Sequence, residues 1–555
     1  MNRITLFSLL LANATLLFAD DAPDLQIVHR IKAEAFENSH VMDHLFYLTD
    51  VNGPRLTGSP GFESAAQWAL GELQKSGAEN AHLEKWGPFG RGWSYSTFSI
   101  SLQKPTFAPL HGTPLAWSEG TQGAVRGPVA ATALYHEDEG RRDIDIETIR
   151  ERIAEYEKEW KGKLRGKIVL LGRERAFSQP TDSASKREDD KALAALTEYS
   201  ELAPSLKPAW IPDKLPRDGK KRAAMFKNLP LDMTADYWER TREALDTLNV
   251  FFREEGALAI LKTDSRGSGG VVFSEAAGPY KEGEPVAPAS VALAPEHFNR
   301  LWRLVEKNIA TEVEINLAAA FVDKPVIANV IAEIPGGKKK DEVVMLGGHL
   351  DSWHAGTGAT DNAAGCAVAL EAMRILKVLG LKMDRTVRVA LWSGEEQGIW
   401  GSRAYVREHF ADPSDMRIKP EHTRLAAYFN LDNGSGKIRG IHLQGNDMAR
   451  PIFESWFHPF KDLGAGTITI RDTGGTDHLS FDQVGLPGFQ FIQDPLDYMS
   501  RTHHSELDVY DHVEPGDLMQ ASAIMASFVY NAAMREQPIP RKPLPDPLPP
   551  RLPVH

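Results

Sequence analysis

The sequence predicts an α/β fold, in which a mixed sheet flanked by helices is interrupted by a second, β-rich domain. After about residue 324, strand-like apolar runs alternate with segments of helical apolar spacing, which indicates a largely parallel sheet. The composition changes near residue 120, and the apolar runs at 164–171 and 256–262 are typical of buried strands. We therefore expect residues 20–119 and 321–536 to form the main domain around a second domain at 120–320.

The composition is that of a globular protein large enough for several cores. The chain has 555 residues, of which 42% are hydrophobic. The formal net charge of -13 disfavours nucleic acid and anionic membrane surfaces as partners, because both require clustered Lys and Arg. The single cysteine, Cys366, excludes an intramolecular disulfide, so we expect the folded chain to be stabilised by its core alone.

The first 19 residues have the pattern of a signal peptide. Arg3 precedes the apolar run Ile4–Phe18, and Ala19 is followed by the acidic Asp20 and Asp21. We expect cleavage after Ala19. An apolar run of ~15 residues is too short to cross a bilayer comfortably, and no other stretch is long enough either. The sequence therefore predicts an exported protein, periplasmic or extracellular, with no membrane span after signal removal.

Three further segments stand out by composition. A charged, helix-prone segment at about 183–254 predicts solvated helix faces. The Gly-rich run 266–270 precedes strand-like residues and no helix start, which argues against a nucleotide-binding loop. The tail 537–555 contains eight prolines, so we expect an extended, partly disordered end, with docking on the protein surface as the alternative.

The stretch 347–365 has the features of a metal-binding loop. It follows the apolar run 341–346 and precedes helical spacing at 363–379, so it lies between a strand and a helix. Ligands bind at the carboxyl ends of strands in such sheets. His349 and Asp361 would both lie there, and Asp351 could accept the other N–H of the His349 imidazole and fix its tautomer.

Other polar side chains follow further predicted strands. The run 386–392 leads to Glu395 and Glu396, and the run 425–430 leads to Asp432. A third run, 488–492, leads through Pro495 to the pair His503 and His504. Because the carboxyl ends of parallel strands meet at one edge of a sheet, we expect these side chains to converge.

These residue types suit zinc, which takes imidazole nitrogen and carboxylate oxygen and keeps one position open for water. Two imidazoles and three carboxylates are enough for two zinc ions if Asp361 bridges them. Glu395 is left over, and a carboxylate that binds no metal beside an activated water is a ready general base. The predicted ligands are His349, Asp361, Glu396, Asp432 and His504.

The chain resembles the co-catalytic zinc exopeptidases of the aminopeptidase and carboxypeptidase Q-like family. The match lies in the order of the motifs Gly348-His-Leu-Asp351, Gly358-Ala-Thr-Asp-Asn-Ala-Ala-Gly365, Ser393-Gly-Glu-Glu396, Asn430-Leu-Asp432 and His504-Ser-Glu-Leu-Asp508. The run Asn52-Gly-Pro-Arg-Leu-Thr-Gly58 also resembles the carboxypeptidase Q-like branch. The resemblance implies a phosphorylase/hydrolase-like mixed sheet and identifies 120–320 as a protease-associated domain, here with a charged helical insertion.

The resemblance also implies roles. His349 and Asp432 would bind one zinc, Glu396 and His504 the other, and Asp361 would bridge them. Glu395 corresponds to the general base and Asp351 to the carboxylate that orients His349. His503 competes with His504 for the last ligand position, although the family spacing starts at His504. Tyr498 is a candidate to stabilise the oxyanion, whereas Asp477 and His478 resemble a substrate-side motif without an assigned role.

We therefore expect an exopeptidase that acts on peptides or dipeptides, most readily an aminopeptidase. A carboxypeptidase or dipeptidase on the same site, a glutaminyl cyclase-like transferase with one zinc, and an inactive receptor or scaffold of the same fold are the alternatives. The complete set of ligands and base argues against the last two. A homodimer is one candidate assembly, since the oligomeric state does not follow from the sequence. The direction of trimming does not follow from the sequence.

Overall fold

The computed structural model describes residues 21–135, 145–177, 183–199, 209–226 and 229–551. The predicted signal peptide at 1–19 lies outside these residues, so its prediction is untested. In the ranges just given, no helix combines the length and apolar character needed to cross a membrane.

The strands and helices are numbered here in chain order. The strands are β1 (Glu79–Lys85), β2 (Gly92–Lys104), β3 (Ala108–Pro109), β4 (Gly112–Pro114), β5 (Val125–Thr132), β6 (Ile168–Leu171), β7 (Ala259–Lys262), β8 (Ser290–Leu293), β9 (Glu312–Val322), β10 (Ala328–Ile334), β11 (Lys339–His349), β12 (Arg385–Trp392), β13 (Leu425–Asn430), β14 (Ile438–His442), β15 (Thr467–Thr469) and β16 (Gly488–Gln493). The α-helices are α1 (Leu25–Glu37), α2 (Val41–Phe46), α3 (Pro60–Lys75), α4 (Ile146–Trp160), α5 (Asp190–Thr197), α6 (Gly219–Phe226), α7 (Leu231–Glu255), α8 (Pro295–Glu306), α9 (Ala364–Val378), α10 (Trp400–His409), α11 (Arg450–Phe457), α12 (His478–Asp482) and α13 (Pro515–Met534).

The first sheet has eight strands in the order β1-β10-β12-β11-β13-β16-β14-β15. Its central strands β12, β11, β13 and β16 run parallel to one another, and the strands next to them, β10 and β14, are antiparallel to β12 and β16. The register places His349 opposite Trp392, and Gly347 opposite Asn430. The loops that leave the parallel strands therefore emerge at one edge of the sheet.

Helices cover both faces of this sheet because its central strands are apolar on both sides. In β13, Phe429 faces a large core that includes α1, α3, α9 and α13. Its neighbour Tyr428 faces a smaller core with α10 and α12, as the two-residue period of a strand requires. The N-terminal helices thus pack on the first sheet, and the body built on this sheet is called the main lobe below. Ser59 caps α3 through a hydrogen bond from the backbone N–H of Phe62.

A second eight-stranded sheet has the order β3-β2-β9-β5-β6-β7-β8-β4. Val169 in β6 packs towards α4 and α7, whereas Ile168 and Leu170 pack towards α8. This sheet includes strands from residue 92 onwards, because β2 pairs along its whole length with β9. The predicted boundary at residue 120 therefore falls inside the second sheet. The body built on this sheet, residues 92–322, is called the second lobe below.

The charged segment predicted to be helical contains α5, α6 and α7. Helix α7 buries an apolar face that includes Leu248 and Phe252. It ends at Gly256, whose φ of 71° is the left-handed conformation that glycine adopts without a steric penalty. The segment is therefore only partly a solvated surface, since one face of α7 belongs to the core of the second lobe.

The proline-rich tail lies along the surface of both lobes as far as residue 551. Arg541 donates hydrogen bonds to the backbone oxygens of His422 and Leu425. Lys542 lies 2.5 Å from Asp482, and Arg551 lies 2.8 Å from Asp236 in α7. We expected either an extended, partly disordered tail or a tail docked on the surface, and residues 537–551 are docked.

Candidate metal centre

The strand ends bring the predicted ligands together at one edge of the first sheet. His349 is the last residue of β11, and Asp361 lies in the turn that leads into α9. Glu396 follows β12, and Asp432 follows β13. His504 comes from the longer loop after β16. All five side chains thus reach the same small volume.

Asp361 is at the centre of the cluster. Its Oδ1 lies 3.1 Å from His349 Nε2, and its Oδ2 lies 3.4 Å from His504 Nε2. Asp432 Oδ1 lies 3.4 Å from His349 Nε2, and Glu396 Oε2 lies 3.0 Å from His504 Nε2. The carboxylate of Asp361 therefore faces two separate pairs of side chains, one on each oxygen.

His503 remains close enough to compete with His504. Its Nε2 lies 3.9 Å from Asp361 Oδ2, and its ring stacks on that of His504 with centroids 3.7 Å apart. Asp361, His503 and His504 could therefore also hold one ion. However, the distance to Asp361 is shorter from His504, and only His504 also reaches Glu396 among the contacts of the described chain.

The donor atoms fit a metal cation. Asp361 Oδ2, Glu396 Oε1 and Asp432 Oδ1 are buried and have no hydrogen-bond partner among the described residues. A buried charge without compensation is costly, so buried carboxylates in proteins are paired or coordinate metals. Two imidazole nitrogens complete a set that suits a transition-metal ion.

The electrostatics of the cluster point the same way. Burial lowers the pKa of His349, but Asp432 and Glu395 raise it well above its ordinary value. Burial likewise opposes protonation of His504, and Glu396 and Glu275 raise its pKa well above the ordinary value. The carboxylates thus favour positive charge at both histidines, where a bound cation would take the place of a proton.

Glu395 lies beside the cluster and does not belong to the closest contacts. Its Oε2 is 4.0 Å from His349 Nε2. Burial, together with the nearby charge of Asp432, raises the pKa of Glu395 well above its ordinary value. A carboxyl with a raised pKa holds a proton more readily near neutral pH, which is the property a general base needs when it must later release that proton as an acid.

The contact between Asp351 and His349 differs in detail from the prediction. His349 Nδ1 lies 2.9 Å from the backbone oxygen of Asp351 and 3.7 Å from its carboxylate. The carboxylate instead accepts hydrogen bonds from the backbone N–H groups of Glu395 and Glu396, both 3.3 Å long, and from the hydroxyl of Thr57. Asp351 thus holds both the imidazole and the loop after β12.

Two residues that the sequence did not single out support the floor of the site. Asp508 accepts hydrogen bonds from the backbone and hydroxyl of Thr360 and from the backbone N–H of Asp361. Arg55 is fully buried and donates to the backbone oxygens of Leu48, Leu350, Thr357 and Gly358. Both residues lie in motifs that resemble the family, but nothing in the sequence indicated the supporting role of either residue.

The remaining candidates lie around the cluster. The thiol of Cys366 donates to the backbone oxygen of His349, and burial raises its pKa to about 12, so it stays neutral. The ring of Tyr498 meets His503 edge-on, with centroids 4.9 Å apart. Asp477 accepts a hydrogen bond from Ser402, and burial raises its pKa to about 8.

A small cleft opens onto the cluster. Trp353 forms one wall, and its ring lies 5.8 Å from that of His504. The other lining residues are Gly356, Gly358, Asp361, Glu396, His504, Ser505 and Asp508. An aromatic wall beside a few convergent polar groups is typical of a ligand-binding cleft.

Comparison with known proteins identifies relatives of the chain. Residues 329–529 match Peptidase family M28. Carboxypeptidase Q of Homo sapiens is 25% identical over 501 residues, which cover 90% of this chain and 86% of that protein. A crystal structure of a peptidase M28 precursor from Shewanella amazonensis superposes with a TM-score of 0.62 and 23% identity, covering 94% of this chain and 98% of that one.

The structure of BSAP, a zinc aminopeptidase from Bacillus subtilis, superposes with a TM-score of 0.51 and 18% identity and covers 90% of this chain and 95% of that one. These two structures share the fold of this chain, which confirms the predicted α/β architecture with a mixed sheet between helices. Residues 329–529 thus match Peptidase family M28, and the predicted resemblance of the chain to the aminopeptidase and carboxypeptidase Q-like family is confirmed.

Proposed function

We propose that this protein is a zinc-dependent exopeptidase that hydrolyses the terminal bond of peptides or dipeptides. The observation that carries the proposal is the position of Asp361, whose two oxygens face His349 and His504 separately. A carboxylate placed in this way can bridge two metal ions. The relatives in family M28 support peptide hydrolysis as the reaction.

In this proposal His349 and Asp432 would hold one zinc ion, Glu396 and His504 would hold the other, and Asp361 would be shared between them. When bound, zinc polarises a carbonyl group and makes water a nucleophile near neutral pH. The kinship with BSAP, a zinc aminopeptidase, supports zinc as the metal. The number of two ions rests on the two pairs of side chains that meet at Asp361.

Glu395 then acts as the general base. It removes a proton from the attacking water and passes that proton to the amine that leaves when the peptide bond breaks. Burial raises the pKa of Glu395, so its carboxylate accepts this proton more readily than an ordinary carboxylate does. Asp351 fixes the base, because its carboxylate holds the backbone of Glu395.

We propose aminopeptidase activity as the first candidate for the direction of trimming. A carboxypeptidase needs a cation for the free carboxylate of its substrate. Arg266 lies near the site, with Nη1 3.2 Å from His503 Nδ1, but Asp264 and Glu275 already pair with it. The kinship with carboxypeptidase Q keeps carboxypeptidase or dipeptidase activity as the second candidate.

The decisive experiment uses one unblocked tripeptide of three different residues, incubated with and without a chelator and analysed by mass spectrometry. Chelator-sensitive release of the first residue would support an aminopeptidase, and release of the last residue a carboxypeptidase. The absence of cleavage from tripeptides and dipeptides would overturn the proposal. Zinc analysis then separates the alternatives, since two ions per chain are expected here, one for a glutaminyl cyclase-like transferase and none for a scaffold.

We also propose that the protein is exported, on the basis of the N-terminal pattern at 1–19. The test is N-terminal sequencing of the mature protein from a cell fraction. A mature chain that begins at Asp20 in the periplasm or medium is expected. An intact Met1 on a protein that stays inside the cell would contradict export.

A further inference from the structure

A short segment of the second lobe runs along the loop that carries His504. Phe273 forms an antiparallel bridge with Ser505. The backbone N–H of Ser274 donates to the backbone oxygen of His504 over 3.0 Å. On the far side of the bridge, the backbone N–H of Glu506 donates to the backbone oxygen of Val272. The backbone N–H of Val272 donates in turn to the side-chain carboxylate of Glu506. The second lobe thus contacts the metal centre directly.

The imidazole of His504 has a different partner on each nitrogen. Its Nε2 faces Glu396 and Asp361 within the cluster, and its Nδ1 lies 2.8 Å from Glu275 Oε1. A carboxylate that accepts the Nδ1–H leaves the lone pair of Nε2 available for a metal and fixes the orientation of the ring. Glu275 belongs to the second lobe, between β7 and β8, and to none of the motifs that identify the family.

Glu275 is itself held in place, although its side chain is 46% exposed. Arg266 Nη2 lies 3.0 Å from Glu275 Oε1, and the Arg266 guanidinium stacks over the ring of Phe273 at 4.4 Å. Asp264 binds the same guanidinium through two contacts of 3.0 and 3.3 Å. The carboxylate therefore has a fixed position despite its exposure, because a cation anchored on two sides pairs with it.

The backbone of His504 needs such support. Its φ of 65° lies in the left-handed region, which is unfavourable for a residue with a side chain. Residues in this conformation persist where surrounding contacts hold them, and they concentrate at functional sites. Here the contacts come from the second lobe, through Ser274 on the backbone oxygen and Glu275 on the ring.

We propose that Glu275 is a positioning residue for His504, so that the second lobe completes the metal centre. The inference rests on the proposed role of His504 as a zinc ligand. It assigns to the second lobe a contribution to metal affinity in addition to any contact with the substrate. Loss of the Glu275 carboxylate should weaken the binding of the ion held by His504 and Glu396, and should leave the ion held by His349 and Asp432 nearly unchanged.

The test compares Glu275→Ala, Glu275→Gln and the control Glu282→Ala, which removes an exposed carboxylate from the same lobe. Zinc affinity is measured by competition with a chromogenic chelator, in the full chain and without substrate. We expect Glu275→Ala to bind one ion about 10- to 100-fold more weakly. Glu275→Gln keeps an oxygen acceptor for Nδ1–H and should lie between Ala and the wild type. The control should match the wild type.

A zinc affinity of Glu275→Ala within twofold of that of Glu282→Ala would overturn the proposal. If Glu275→Ala does not fold, as judged by circular dichroism of the metal-free protein, the nearly isosteric Glu275→Gln decides by the same criterion. A purely structural role predicts a lower unfolding temperature of the metal-free protein with unchanged zinc affinity, which would also overturn it. The readout is independent of peptidase activity, so weakened zinc binding without any peptide cleavage in the wild type would overturn the proposed function alone.

Discussion

The hydroxyl of Thr57 donates a 2.9 Å hydrogen bond to the carboxylate of Asp351, across a sequence separation of 294 residues. The same carboxylate accepts the backbone N–H groups of Glu395 and Glu396. The turn before α3 is thereby linked to the loop that carries the proposed general base and one proposed ligand. Thr57 and Asp351 are both completely buried, so water does not compete for these hydrogen bonds.

Thr57→Val should therefore lower kcat by about 10-fold, because the valine keeps the shape of threonine but cannot donate to Asp351. Thr57→Ser, which keeps the hydroxyl, is the matched control and should retain most of the activity. Zinc content should be equal in both variants, since His349 Nδ1 faces the backbone oxygen of Asp351. Equal kcat values for the valine and serine variants would contradict this role.

Glu395→Gln should lower kcat by about 10²- to 10⁴-fold, because glutamine cannot accept the proton of the attacking water. Zinc content should not change, since Glu395 lies outside the closest contacts of the cluster, at 4.0 Å from His349. Peptide hydrolysis and zinc content are measured on the same preparation. Glu408→Gln, which changes an exposed carboxylate of α10, serves as the control. A Glu395→Gln variant with more than about a tenth of the wild-type kcat would exclude Glu395 as the base.

Asp361→Asn should reduce the binding of both zinc ions, whereas Asp432→Asn should reduce the binding of one. The difference follows from the contacts, since Asp361 faces both histidines and Asp432 faces only His349 among the ion pairs of the described chain. The measurement is metal analysis after dialysis against a weak chelator. If the two variants lose the same amount of zinc, Asp361 does not bridge.

The stability of the second lobe should depend on pH through Asp246 in α7. Burial raises the pKa of Asp246 to about 7 from an ordinary value of 3.8. Between these values the unfolded chain loses the proton while the folded chain keeps it, so the free energy of unfolding falls as the pH rises from about 4 to about 7. Asp246→Asn removes this loss and should stabilise the protein at pH 8 by about 1 to 2 kcal/mol, and by less at pH 5.

Urea unfolding at pH 5 and pH 8 checks the Asp246 prediction. Glu254→Gln, which changes an exposed carboxylate of the same helix, is the control and should give equal small effects at both pH values. An Asp246→Asn effect that does not grow with pH would show that the carboxyl is already ionised in the folded protein at pH 5.

The parallel core of the first sheet was predictable because its signals are local. The apolar runs at β11, β12 and β13 end at or within a few residues of cluster residues, and β16 leads to His504 through a longer loop, so strand ends and candidate ligands could be read together. The fold class follows from the same alternation of strand and helix patterns. The convergence of His349, Asp361 and Asp432 then required only the rule that parallel strands end at one edge.

Contacts between distant segments gave no such signal. The extent of the second sheet depends on β2, whose pairing partner β9 follows more than two hundred residues later. Glu275 lies in a segment without regular structure, and its contact with His504 depends on how the two lobes dock. The tail has no periodic apolar pattern, and its position depends on distant contacts such as the ion pair of Arg551 with Asp236 and the burial of Ile539. Sequence patterns indicate local structure, and they do not indicate which distant residues will be in contact.

The buried guanidinium of Arg55 links residues 329–529 to the chain that precedes the second lobe. Its hydrogen bonds to Leu350, Thr357 and Gly358 tie the loop after β11 to a segment that precedes the second lobe. Strand β1 likewise pairs with β10 from the N-terminal side. A gene fragment that encodes only 329–529 would lack both, so the segment recognised as the family domain is not an autonomous unit. Recombination between relatives would therefore preserve the contacts of this core only if the segments before and after the second lobe were exchanged together.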